Sequence, residues 1–247
     1  MPLENHIALK NSFSFAKLTR ILTGALVAFA VLSVLLIPIQ FDLYSKLGSV
    51  AEDGYGWDSA LDAADNLNII GQIVLAGMFS IAAITFLTWF YRARKNVDVL
   101  EVEGVGYSHG ATVGWWFVPF ANLVTPYRVA KEIWIASNPA TYEPGNSTLW
   151  LKDDEAKPVK TWWTFWLIFI IVERMADRVY ADPESFAVYR EKLVVDMVVN
   201  LLAVIAVWFA LKFIKALYRR QEERYSVIYE QSVKANGGEG GSELLSA

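Results

Sequence analysis

Ser108 sits at the centre of Gly106-Tyr107-Ser108-His109-Gly110, the G-x-S-x-G spacing of a hydrolase nucleophile. Such a serine needs a strand–turn–helix elbow and a histidine brought from elsewhere in the fold to take its proton. The chain has two histidines, and the other one, His6, lies near the N-terminus. A glycine-rich turn is the better reading, and no catalytic residue is expected. Two histidines, no cysteine, no H-E-x-x-H and no G-x-x-x-x-G-K leave little to build a metal or phosphate site from, so neither metal nor cofactor is expected.

A second group sits inside apolar sequence. Asn68 and Gln72 are four residues apart and share a helix face, as do Asp196 and Asn200. Glu173, Arg174, Asp177 and Arg178 fall on one side of a third helix. A carboxylate in hydrocarbon costs ~2.5–3.5 kcal/mol or more and normally finds a partner. Asp196 is therefore expected to pair with Arg174 or Arg178. Asn68, Gln72, Arg174, Asp177, Arg178, Asp196 and Asn200 would then line an outward-opening polar pocket. The plainer alternative is a structural ion pair with interhelical hydrogen bonds of ~0.6–2 kcal/mol each.

The elements that position these residues follow from hydropathy. Of 247 residues, 55% are hydrophobic and 19% charged, against about 45–50% and 25% in an ordinary soluble domain. A net charge of -4 gives no reason to expect a nucleic-acid partner. The run at 21–41 carries no charge and matches the ~20 apolar residues that cross ~30 Å of hydrocarbon. It is too long, and lacks the small-residue site, for a cleaved signal peptide. Residues 66–91 form a second such run, and 193–211 another, interrupted only by Asp196. The short apolar run 161–172 becomes a span at 161–180 if its last turns are amphipathic.

Lysine and arginine placement sets the direction. Lys10, Lys17 and Arg20 precede the first span, and Arg92, Arg94 and Lys95 follow the second. Between those spans Lys46 faces Asp42, Glu52, Asp53, Asp58, Asp62 and Asp65. Lys212, Lys215, Arg219, Arg220 and Arg224 follow the last span. Both termini are expected in the cytoplasm of a multi-pass cell-membrane protein, with an acidic loop outside.

Residues 104–127 are also uncharged, but their glycines, Pro119 and Pro126 oppose a continuous helix. Crossing there would also reverse every later span. The expectation is a re-entrant or interfacial element on the cytoplasmic side, with a kinked fifth span as the alternative. Thr125 and Pro126 read as cap and first residue of an amphipathic helix over 126–137, with Val129, Ile133 and Ala136 on one face, lying on the membrane surface. The expected organisation is a tail at 1–20, a membrane domain at 21–221, a helical extension at 222–234 and a disordered tail at 235–247.

Two blocks look familiar together. WFYRARKNVDVL at the end of the second span and the later GWWFVPFANLVTPYRVAKEIWIAS resemble a bacterial membrane family, domain of unknown function 4328. The resemblance is carried by Tyr91, Arg92, Arg94 and Asn96, then Trp115, Trp116, Phe117, Pro119, Asn122, Pro126 and Tyr127, with Arg219-Arg220-Gln221 similar to the family's ending. It implies an integral membrane protein with no established activity, substrate or cofactor. The chain departs from the pattern in two places. Many members carry a small cytoplasmic domain before the first span, and His109 stands where the family tends to have proline.

Arg92, Arg94 and Lys95 are candidates for anionic lipid headgroups, at ~1 kcal/mol per basic residue, or else form an ordinary topology signal. The Trp115-Trp116 pair either packs a fixed re-entrant structure or anchors at the interface, and Asn122 would satisfy backbone groups freed by the prolines. The fold expected is an all-α, polytopic transmembrane helical bundle of four spans with a broken re-entrant or interfacial element. The leading function is a non-enzymatic interaction or scaffold protein of a bacterial membrane, in contact with the lipid bilayer and an unknown protein partner. The alternative is a small transporter or channel subunit, and a hydrolase using Ser108 ranks third.

Overall fold

Apolar runs this long can only be solvated by lipid or by each other, and helices are the elements that satisfy their backbone without water. The computed structural model describes residues 15–53, 59–183 and 185–235. Among these it is helical, with no strand. The long helices are α1 (Ala16–Asp53) and α2 (Ser59–Val97). Two short ones follow, α3 (Ala111–Gly114) and α4 (Thr125–Ala136). The chain ends with α5 (Lys157–Val179) and α6 (Phe186–Ala235). The expectations for the outermost tail residues, 1–14 and 236–247, lie outside the described residues.

Among the described residues, three helices are long and apolar enough to cross a membrane, over Ala16–Ser49, Ala60–Val97 and Phe186–Lys234. The chain is thus a membrane protein with three such segments. The expected fourth span falls on α5, whose last turns carry Glu173, Arg174, Asp177 and Arg178 and which is not among the three. Each long helix extends well past its expected apolar run. The 50 residues of α6 correspond to about 75 Å, so it carries the expected extension at 222–234 without a break. The sequence of α6 contains neither glycine nor proline to interrupt it.

The chain divides into two compact units: residues 1–20, 86–160 and 213–247, and residues 21–85 and 161–212. The second of these has a core of Phe29, Phe169, Ala203, Ala206 and Val207, with Phe79 and Trp166 packed on it. Phe165 stacks on Phe209 at 4.2 Å between centroids. A separate cluster joins Leu43 and Leu47 of α1, Leu61 and Ala64 of α2, and Leu193 of α6. Gly71 lets α1 and α2 approach closely, because a Cβ there would lie 2.3 Å from Leu36 Cδ2. The outer face of this unit is apolar: Ile73 is 66% exposed and Ile84 67%. In water each would forfeit ~1.5–3 kcal/mol of burial, whereas lipid removes that cost.

In the other unit, residues 104–124 form a broken segment. α3 is followed by a turn and a 3-10 turn over Ala121–Leu123. The start of α4 differs from expectation by one residue: Val124 caps it without a side-chain bond, and Pro126 lies in its first turn. The placement of α4 differs more. Val129, Ile133 and Ala136 are fully buried, but so are Ala130 and nearly so Trp134 and Ile135. The helix is apolar around more than one stripe and packs that face within its own unit, leaving Arg128 exposed and Lys131 and Glu132 partly so.

Candidate functional site

Three residues of α6, Arg220, Gln221 and Arg224, lie within about one turn and organise the unit that contains α4. Gln221 is wholly buried. Its Nε2 donates to Ala93 O at 2.9 Å and to Ser137 Oγ at 3.1 Å, while its Oε1 accepts from Asn96 Nδ2 at 3.2 Å. Arg220 lies over the Trp134 ring, donates from Nε to Trp134 O and reaches Asp153 Oδ2 at 3.2 Å. Arg224 is 1% exposed and donates from Nε to Leu100 O and from Nη1 to Asn138 O and Thr141 Oγ1. Its guanidinium also faces the Tyr142 ring, whose hydroxyl donates to Glu101 Oε2 at 3.0 Å. Burial, then that hydrogen bond, raises the Tyr142 hydroxyl above its ordinary pKa.

The residues that carried the resemblance divide between this network and the surface. Arg94 is buried, donating from Nε to Tyr107 O at 2.8 Å and from Nη1 to Asp98 Oδ1 at 2.7 Å. It is therefore not placed to meet a lipid headgroup, in contrast to the exposed Arg92 and Lys95. Asn96 and Pro126 are buried, Tyr91, Phe117 and Pro119 are exposed, and Trp115, Trp116, Asn122 and Tyr127 lie between. The Trp116 ring meets Phe86 edge-on at 5.6 Å, which holds the broken segment against α2. Asn122 donates from its backbone to Val118 O.

The G-x-S-x-G segment is a clamped loop. Glu132 accepts from the backbone N–H groups of Gly106 and Tyr107 at 2.9 and 3.0 Å. Ser108 Oγ accepts from Ala111 N at 3.3 Å, and His109 Nε2 lies 2.6 Å from Asp98 Oδ2. His109 is thus engaged by a carboxylate, and its ring packs on Tyr91.

The other unit contains a pocket of about 250 Å³. Its polar wall is formed by Gln72, Ser80, Glu173, Asp177, Asp196 and Asn200, and its apolar wall includes Phe29, Phe79 and Phe169. No lysine or arginine lines it among the described residues. Of the residues expected at a polar pocket, Gln72, Asp177, Asp196 and Asn200 are brought together. Asn68 is buried one turn from Gln72, whereas Arg174 and Arg178 are exposed and line no part of the pocket.

The expected Asp196–arginine pair is replaced by a local one. Lys192 Nζ reaches Asp196 Oδ2 at 2.6 Å from one turn earlier on α6. A lysine at this spacing pairs without bridging helices, which an arginine on α5 would have to do. Behind the pocket wall, Asn200 Nδ2 donates to Gln40 Oε1 at 3.0 Å. Gln40 Nε2 and Asn68 Oδ1 are buried without a hydrogen-bond partner. Sequence reasoning missed Glu173 as a lining residue and Gln40, although both are polar groups at helical spacing in or beside apolar runs.

No curated protein and no solved structure matches the chain. A family model, "Domain of unknown function (DUF4328)", matches residues 56–219, more than half of the sequence and including Arg94, Asn96, Trp116 and the pocket residues Gln72, Glu173, Asp177, Asp196 and Asn200. The chain belongs to the DUF4328 family.

Proposed function

We propose that the protein binds a small, positively charged solute within its helical bundle, as a small transporter or channel subunit does, and that the pocket on the acidic-loop side is the binding site. The observation that carries this reading is the pocket wall: two amides, three phenylalanine rings and three carboxylates, of which Asp196 is paired with Lys192 from outside the wall while Glu173 and Asp177 face no lysine or arginine in it. Glu173, partly buried, and Asp177, exposed, lie one turn apart on the same helix face, where they repel. A cation relieves that repulsion, and aromatic faces favour an organic cation over a hydrated metal ion. The buried, unpaired Gln40 Nε2 and Asn68 Oδ1 in the same unit further favour a hydrated interior over a dry one.

The scaffold reading rests on the absence of a catalytic constellation and on amphipathic cytoplasmic helices that could meet a partner, and the apolar face of one of these, α4, is buried within its own unit. That part of its support is removed. For the non-enzymatic reading, Ser108 Oγ is bonded within its own turn, to Ala111 N, while His109 Nε2 faces Asp98.

The test is calorimetric titration of the detergent-solubilised protein with choline and with choline's uncharged carbon isostere. Choline is expected to bind and the isostere not to bind. Asp177→Asn and Glu173→Gln should each weaken choline binding about tenfold, the effect of ~1.4 kcal/mol. Equal binding of both compounds, or of neither, refutes the proposal.

A further inference from the structure

The segment between α3 and α4 presents its apolar side chains outward. Phe117 is 72% exposed and Phe120 86%, with Val118, Leu123 and Val124 also exposed. Water does not favour such a patch, and the backbone is shaped to display it. Phe120 has φ 63° and ψ -41°, and Ala121 N donates to Pro119 O at 2.7 Å, a γ-turn of the strained, positive-φ kind. A glycine would adopt this turn more easily, yet a phenylalanine stands there, pointing away from the protein.

The level of the patch along α2 is set by Trp116, whose ring contacts Phe86. Phe86 lies six positions before Arg92, about 9 Å along the helix and within the apolar stretch. Basic residues flank both stems. Arg92 and Lys95 are exposed at the end of α2. Arg128 is exposed one turn into α4, its N–H bonded to Val124 O, with Lys131 partly exposed on the following turn. The acidic groups of these stems are engaged elsewhere: Asp98 with Arg94 and His109, Glu132 with the Gly106 and Tyr107 amides.

We propose that residues 117–124 form a wedge seated in the acyl-chain edge of one leaflet, and that Arg92, Lys95, Arg128 and Lys131 select a leaflet rich in anionic phospholipid. An apolar tip beneath a basic rim is the arrangement by which proteins hold to anionic lipid surfaces. The wedge is independent of the cation pocket and stands whether or not that pocket binds choline.

The chain contains no cysteine, so a single introduced thiol can report on the wedge. Phe120→Cys is labelled with a small fluorophore and reconstituted in phosphatidylcholine vesicles, with or without phosphatidylglycerol, with Glu143→Cys in the polar loop as the aqueous reference. Lipids brominated on their acyl chains should quench the label at 120 several-fold more than at 143, and aqueous iodide should do the reverse. Phosphatidylglycerol should increase bromolipid quenching at 120 at least twofold, and Arg92→Gln, Lys95→Gln, Arg128→Gln and Lys131→Gln together should abolish that increase. Phe117→Cys repeats the measurement should a thiol at 120 disturb the turn. Iodide quenching at 120 and 117 equal to that at 143 overturns the proposal, as does indifference to phosphatidylglycerol. If unlabelled Phe120→Cys protein instead forms a disulfide between two copies, and the label at 117 is shielded from both quenchers, the patch belongs to a second copy and the proposal is likewise overturned.

Discussion

Replacing Gln221 by leucine tests whether the amide network holds the α4-containing unit together. Leucine nearly conserves volume, so the packing term is small. The polar terms dominate. Ser137 Oγ keeps its bond to Ile133 O, but the Asn96 amide, 3% exposed, loses its acceptor, and Ala93 O loses one donor. A buried group left unpaired costs ~1–3 kcal/mol and a further lost hydrogen bond ~1, so Gln221→Leu should destabilise by about 2–4 kcal/mol. Asn96→Leu alone leaves Gln221 Oε1 without its donor, at ~1–3 kcal/mol. With both changed, neither orphan remains, and the double variant should be less destabilised than the sum of the singles by ~1–2 kcal/mol. Unfolding in mixed micelles by sodium dodecyl sulfate titration, followed by tryptophan fluorescence, measures all three. Additivity within ~0.5 kcal/mol would show that the two amides are not paired, and would refute the reasoning.

Two further outcomes follow from the geometry. Gly71→Ala should cost about 1 kcal/mol, because the Leu36 side-chain end can turn aside, and Gly71→Val ~1–3 kcal/mol or more, because its second branch cannot be accommodated in the same way. Unchanged unfolding midpoints for both would mean that α1 and α2 do not approach at this level. The Tyr142 hydroxyl ionises less readily in the folded protein than in the unfolded chain. Its contribution to stability is therefore complete below about pH 10 and fades as pH rises through the raised value. Tyr142→Phe should flatten that alkaline decline, and parallel stability curves for the two proteins would contradict the assignment.

The long apolar helices were legible because contact with lipid demands contiguous apolar sequence, and 21–41, 66–91 and 193–211 supply it without reference to any neighbour. The grouping of Gln72, Asp177, Asp196 and Asn200 followed from helical spacing and the up-down order of the helices. What failed depended on rotation about a helix axis. Arg94 and Lys95 are adjacent in sequence, yet one is buried against Asp98 and the other exposed, a distinction set by which side of α2 meets the 104–110 loop. Arg220 and Arg224 read as ordinary charges after a membrane exit, and their burial depends on acceptors from Trp134, Leu100 and Asn138, distant in sequence. The one available signal lay in α4, where Ala130 and Trp134 widen the apolar stripe beyond what a surface helix needs.

The dependence of the buried amides on α6 also bears on how the family should be cut from longer chains. The matched region stops at residue 219, one position before Arg220 and two before Gln221. It also omits Thr19, whose Oγ1 accepts from the fully buried Trp89 indole at 3.0 Å. A fragment trimmed to 56–219 would leave the Trp89 indole without its Thr19 acceptor on one side and Asn96 without its Gln221 acceptor on the other. The matched boundary is therefore not a folding boundary: Gln221, Arg224 and Ile228 lie beyond it and pack against Ala93 and Leu100 within it.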